Sequence, residues 1–183
     1  MCAKKMAEEI RKRLKNHGIT SRQVSVRAKT YTFDEAIDIR IKDLSVSKKL
    51  VETIAKEYKY IRWDEFTNEI LNGGNIYVSV DFDYEVLREK AEEFRDATKR
   101  ILKERNKYKE NELMRLAEKD DLVVLYQPYH NGTYPHVRLC KRNKDSCLLD
   151  NLESYYAVDE NSLSGALAIL AYQHGFDFTE TSS

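Results

Sequence analysis

Residues 69–83 read EILNGGNIYVSVDFD, and the fold turns on how Asn72-Gly73-Gly74-Asn75 is understood. A glycine-rich stretch that opens a helix cradles phosphate on its backbone amides, with a Lys-Ser/Thr pair close behind. Neither the helix nor the pair follows here. Instead Ile76, Val78, Val80 and Phe82 alternate with Tyr77, Ser79, Asp81 and Asp83, the period of a half-buried strand. Asn-Gly and Gly-Asn supply the positive φ angles of a tight turn. The glycines are therefore read as a turn before a strand, and a phosphate-binding α/β fold is set aside.

Upstream, Met6, Ile10 and Leu14 recur every four residues among basic side chains, and Gly18 follows as a helix stop. Val24, Val26 and Ala28, then Ile37, Ile39 and Ile41, alternate with polar residues, which predicts two strands forming a hairpin. Ser47 is a candidate cap for a helix striped by Leu50, Val51, Ile54, Ala55 and Tyr58. Downstream, Asp83 is a candidate cap for a long helix showing Val86, Leu87, Ala91, Phe94, Ala97, Ile101 and Leu102 on one side. Leu87, Phe94, Ile101 and Tyr108 fall seven apart, which leaves open a homodimer through this helix. The companion row of Lys90, Ala97, Glu104 and Asn111 is too polar for a sustained zipper.

The stretch KERNKYKENE, 103–112, is almost wholly polar and is taken as a helical linker. Residues 1–102 then form an N-terminal α+β domain with the first part of the long helix, and 113–183 a C-terminal one. In the latter, Leu113, Met114, Leu116 and Ala117 read as the end of a helical segment. Leu122–Tyr126 and Tyr134–Lys141 read as strands around Asn131-Gly132, and Cys147–Leu149 and Tyr155–Val158 as short ones. Ser162 is a candidate cap for a last helix ending at Gly175. The expected class is α+β: an α-β-β-α-β unit, a long polar helix, and a small β-rich unit closed by a helix.

Formal net charge is zero over 183 residues, yet residues 1–30 carry nine basic groups against two acidic, and residues 120–183 four against nine. A neutral total argues against whole-surface mimicry of DNA. No apolar run reaches the length of a membrane span, and the N-terminus lacks the apolar core of a secretory signal. Three cysteines without framework spacing suit a reducing, cytoplasmic setting.

Chemistry is weakly signalled. His130, His136, Cys140 and Cys147 lack the paired spacing of structural zinc sites. Asp81, Asp83 and Glu85 read as strand-end and capping acids ahead of a metal site. No nucleophile-elbow, zincin or deaminase pattern occurs. The expectation is a non-enzymatic protein with no catalytic residue, no metal site and no cofactor. Candidate binding residues are instead Lys12, Arg13 and Lys15 on the first helix, with Arg27, Lys29, Arg40 and Lys42 on the outward side of the hairpin and Tyr77 beside them. One basic face with aromatic platforms is how non-specific DNA or RNA binders work, and an acidic protein surface is the alternative partner.

Ile10-Arg11, Leu14-Lys15, Val24-Ser25-Val26-Arg27, Glu69-Ile70-Leu71, Gly73-Gly74-Asn75 and Tyr77-Val78 together resemble a large polyvalent protein-associated domain of phages and plasmids. The resemblance covers about residues 7–83. It implies a mobile-element accessory protein made inside a bacterium, with no catalytic residues to carry over. Joined to the size of the chain, it points to an anti-CRISPR inhibitor of the type II RNA-guided nuclease complex, with a nucleic-acid-binding accessory protein as the alternative.

Overall fold

The computed structural model describes residues 2–105, 107, 112–128, 133–143 and 149–178. Its elements are α1 (Ala3–Asn16), β1 (Val24–Thr30), β2 (Glu35–Ile41), α2 (Lys48–Lys56) and β3 (Ile76–Phe82). There follow α3 (Tyr84–Glu92), α4 (Arg95–Arg105), β4 (Met114–Lys119), β5 (Leu122–Gln127), β6 (His136–Arg142), β7 (Leu149–Tyr156) and α5 (Glu160–His174). The class is α+β. Two compact units emerge, Met1–Val86 and Leu87–Ser183, which divide inside α3 and not at the expected 103–112. Residues 103–105 belong to α4, while 106 and 108–111 lie outside the described residues. Among the described residues no helix is long and apolar enough to cross a membrane.

In the N-terminal unit the sheet order is β1-β2-β3, with β1 antiparallel and β3 parallel to β2. Pairing sets Val24, Val26 and Ala28 opposite Ile41, Ile39 and Ile37, and Val78, Val80 and Phe82 opposite the same three isoleucines. Paired residues share a face, so one apolar face spans all three strands. Helices α1 and α2 cover it, burying Ala7, Ile10 and Leu14 from one and Val51, Ile54 and Ala55 from the other. The cap at Ser47 is present, its hydroxyl accepting from Leu50 N at 3.3 Å. The other face carries Ser25, Arg27 and Lys29, then Asp38 and Arg40, then Tyr77, Ser79 and Asp81.

The C-terminal unit holds an antiparallel sheet in chain order, β4-β5-β6-β7. Its β4 replaces the helical segment expected from Leu113, Met114, Leu116 and Ala117. The sequence misleads there because a register shift between Arg115 and Ala117 puts buried Met114 and Ala117 three apart, a helix-like spacing made by a bulge. Asp120 adopts φ +55° and closes the tight turn that pairs Lys119 with Leu122. Residues 149–156 form one strand, β7, where two short ones were expected, while Cys147 lies outside the described residues.

The expected long helix is broken. Glu93 N and Phe94 N bond to Lys90 O and Ala91 O three residues back, separating α3 from α4. Phe94 is buried, its ring edge-on to Phe178 at 6.2 Å. Ile101 is also buried, so the middle two members of the sevenfold row pack inside their own chain, while Tyr108 lies outside the described residues. Helix α5 is capped by Asp159, not by the expected Ser162. Asp159 Oδ1 accepts from Ser162 N at 2.8 Å, and Ser162 Oγ accepts from Asp159 N at 3.0 Å, a capping box. It ends at Gly175 with φ +69°, as its sequence indicated.

Candidate functional site

The eight residues expected to form one basic face do not share a surface. Because α1 lies on the isoleucine side of the sheet, Lys12 and Lys15 face solvent on the outer side of that helix, with half-buried Arg13 beside Tyr58. Arg27, Lys29, Arg40 and Tyr77 occupy the opposite side of the sheet, and Lys42 follows Arg40 two residues on. Most of the charges are also answered within the chain. Lys12 pairs with Glu9 at 3.7 Å and Arg40 with Asp81 at 3.3 Å, while Lys29 meets Asp38 and Arg13 meets Glu57. The hydrogen bond from Lys29 holds the Asp38 carboxyl below the usual carboxylate range and raises Lys29 in return.

The acids once weighed as metal ligands are likewise engaged. Asp81 pairs with Arg40 and Lys48, and Asp83 accepts from Val86 N at the start of α3. His136 Nδ1 donates to Tyr134 O at 2.8 Å, and Arg138 Nε donates to His136 Nε2 at 2.7 Å. Cys140 is buried beside Val123 and Leu125, and desolvation pushes its thiol up. His130 and Cys147 lie outside the described residues. Among the described residues no group of three His, Cys, Asp or Glu converges.

A different surface stands out at the turn end of the N-terminal sheet. Gly73 and Gly74 have φ of +81° and +75°, so the opening stretch is a turn. That turn is stitched to the β1–β2 hairpin by Gly74 N on Phe33 O at 2.7 Å and Asn75 N on Asp34 Oδ1 at 2.9 Å. The Asn75 side chain, 1% exposed, reaches the other way. Its Oδ1 accepts from Arg62 N and its Nδ2 donates to Leu71 O, both at 2.8 Å.

Arg62 and Leu71 are the stems of a small protruding hairpin. Leu71 N bonds to Arg62 O at 2.9 Å, Trp63 bridges Ile70, and Asp64 N bonds to Glu69 O at 2.8 Å. At its tip Asp64 Oδ1 accepts from Phe66 N at 2.8 Å and Thr67 N at 2.9 Å. Those amides, Thr67 first and then Phe66, hold the Asp64 carboxyl below the ordinary range. The hydrogen-bonded backbone presents Phe66 at 94% exposure and Trp63 at 55%, with Ile70 exposed beside them. Exposed aromatics at this density mark an interaction surface.

Next to the hairpin lies a cleft of about 580 Å³ whose walls include Tyr31, Phe33, Tyr58 and Tyr60, with Asp34, Glu35 and Glu57 among them. Arg13 stacks its guanidinium 5.8 Å from the centre of the Tyr58 ring while both its terminal nitrogens bond the Glu57 carboxylate. That pairing lowers Glu57 and raises Arg13. Lining and hairpin together carry six carboxylates (Asp34, Glu35, Glu57, Asp64, Glu65 and Glu69) against Lys59, Arg62 and the Arg13 that pairs with Glu57. The distinctive end of this unit is therefore aromatic and acidic. Reasoning from charge alone passed over it, although Tyr58, Tyr60, Trp63 and Phe66 within the nine residues 58–66 were a readable signal. No family model, curated protein or solved structure matches the chain.

Proposed function

We propose that this chain is a non-enzymatic accessory protein of a mobile element that binds and inhibits a host defence nucleoprotein, the effector nuclease of a type II CRISPR system. One observation carries the binding reading: a hydrogen-bonded hairpin holds Trp63, Phe66 and Ile70 in solvent among carboxylates. Aromatic anchors supply most of the energy of such interfaces, and a hairpin ordered beforehand spares the cost of ordering on binding. The acidic surroundings select a basic protein surface and repel phosphate. RNA-guided nucleases hold guide and target in a positively charged channel, which an acidic, aromatic knob complements. The mobile-element setting comes from the resemblance of residues 7–83. The protein then acts in the cytoplasm of the host bacterium, without a cofactor.

Plasmid cleavage by a guide-loaded type II nuclease, with this protein added in rising amounts, tests the proposal. Inhibition by the wild type that disappears in Trp63→Ala/Phe66→Ala supports it. Undiminished cleavage by several orthologous nucleases removes the target. A second reading, a nucleic-acid-binding accessory protein, is favoured by the exposed Lys4, Lys5, Lys12 and Lys15 on the outer side of α1. It predicts binding to bare DNA or RNA that falls steeply with salt in a gel-shift titration.

A further inference from the structure

We infer that the cleft beside the hairpin is a receptor for a single arginine side chain presented by the partner protein. The inference rests on the binding reading only for the partner; the cleft's preference for a guanidinium stands on its own geometry. Four aromatic residues, Tyr31, Phe33, Tyr58 and Tyr60, line a space of about 580 Å³, room for a guanidinium and its aliphatic stem. Ring faces attract cations, and guanidinium stacks on them while bonding carboxylate with its edge.

Suitable carboxylates are in place. Asp34 uses Oδ1 on Asn75 N, and Glu35 uses Oε2 on Ala3 N at 2.9 Å. The second oxygen of each has no hydrogen bond among the described residues, and both side chains are half-buried. The chain already contains one example of the mode. On the Tyr58–Glu57 wall, its own Arg13 stacks on the ring and bonds both carboxylate oxygens. With Glu57 neutralised by Arg13, Asp34 and Glu35 still outnumber Lys59 and disfavour a phosphate, and an uncharged apolar ligand leaves the second oxygen of each desolvated without a partner.

The test uses the full chain and an acetylated, amidated Gly-Arg-Gly peptide, with its neutral isostere carrying citrulline. NMR titration is expected to shift the amides around Tyr31, Phe33 and Tyr60, with the citrulline peptide at least about tenfold weaker. Asp34→Asn keeps the acceptor for Asn75 N and removes the charge. Together with Tyr60→Leu it weakens the arginine peptide about tenfold, while Tyr60→Phe retains the ring and the affinity. Tyr156→Ala, in the C-terminal unit and outside the cleft lining, leaves peptide binding unchanged. Equal binding of the citrulline peptide, or shifts confined to other surfaces, overturns the inference. If the nuclease is not inhibited but the peptide binds as described, the cleft stands and the target falls. If inhibition is present and the peptide does not bind, the cleft alone falls.

Discussion

Replacing Asn75 with alanine removes a side chain that holds both stems of the aromatic hairpin and leaves the backbone bond from Glu35 N of β2 to its carbonyl in place. Two hydrogen bonds go, Arg62 N to Oδ1 and Nδ2 to Leu71 O. Each is worth about 0.5–1.5 kcal/mol net, so the loss sums to about 2 kcal/mol. Trp63 is the only tryptophan and lies in the affected hairpin, so its fluorescence reports the N-terminal unit selectively. The urea midpoint of that signal is expected to fall by roughly 1–2 M. Amide exchange at Arg62 and Leu71 is expected to accelerate at least about tenfold. Asn75→Asp sharpens the argument, because a buried carboxylate facing Leu71 O is unfavourable and its folded pKa rises above the unfolded value of about 3.9. A raised folded pKa means that the variant regains stability below pH of about 4 and loses it as pH rises through the folded value. Unchanged fluorescence midpoint and unchanged exchange in Asn75→Ala would refute the reasoning.

Other outcomes follow from neighbouring contacts. The Asp64 carboxyl is depressed by the Thr67 and Phe66 amides, so its contribution is present above the unfolded pKa and lost as pH falls through the lower folded one. NMR in acid is therefore expected to show the tip amides losing protection, and Asp64→Asn to abolish that dependence. Gly74→Ala is expected to cost about 1 kcal/mol in the same fluorescence assay. Its Cβ would meet the Arg62 side chain at an ordinary 3.5 Å, so that cost is the φ of +75°. In Gly175→Ala a new Cβ lies 2.7 Å from Lys119 Nζ, which donates to His174 O and Gly175 O. Thermal unfolding of the C-terminal unit is expected a few degrees lower.

What the sequence made legible was local. The alternation at 24–28, 37–41 and 76–82 gave the N-terminal strands, and glycine and Asp/Ser chemistry gave the stops and caps at Gly18, Ser47, Asp83 and Gly175. Errors arose where a single residue changed the period. The bulge at Arg115–Ala117 disguised β4 as helix, and the tight turns at Glu93-Phe94 broke a helix whose apolar row ran on regardless. The candidate site was hidden for a different reason. Charge counting along the chain cannot tell which face of a sheet a helix will cover, so Lys12 and Arg27 were grouped although the sheet lies between them. Nor does composition reveal that Asn75, read only as a turn residue, bridges three segments.

The account depends on the acidic, aromatic end being what the partner touches. Binding of the chain to an immobilised guide-loaded type II nuclease, by surface plasmon resonance, compares two double variants against the wild type. The account predicts that Trp63→Ala/Phe66→Ala weakens binding at least about a hundredfold, as loss of two aromatic anchors should, while Arg27→Ala/Lys42→Ala leaves it near wild type. The reverse pattern, with the basic pair essential and the hairpin dispensable, would contradict it.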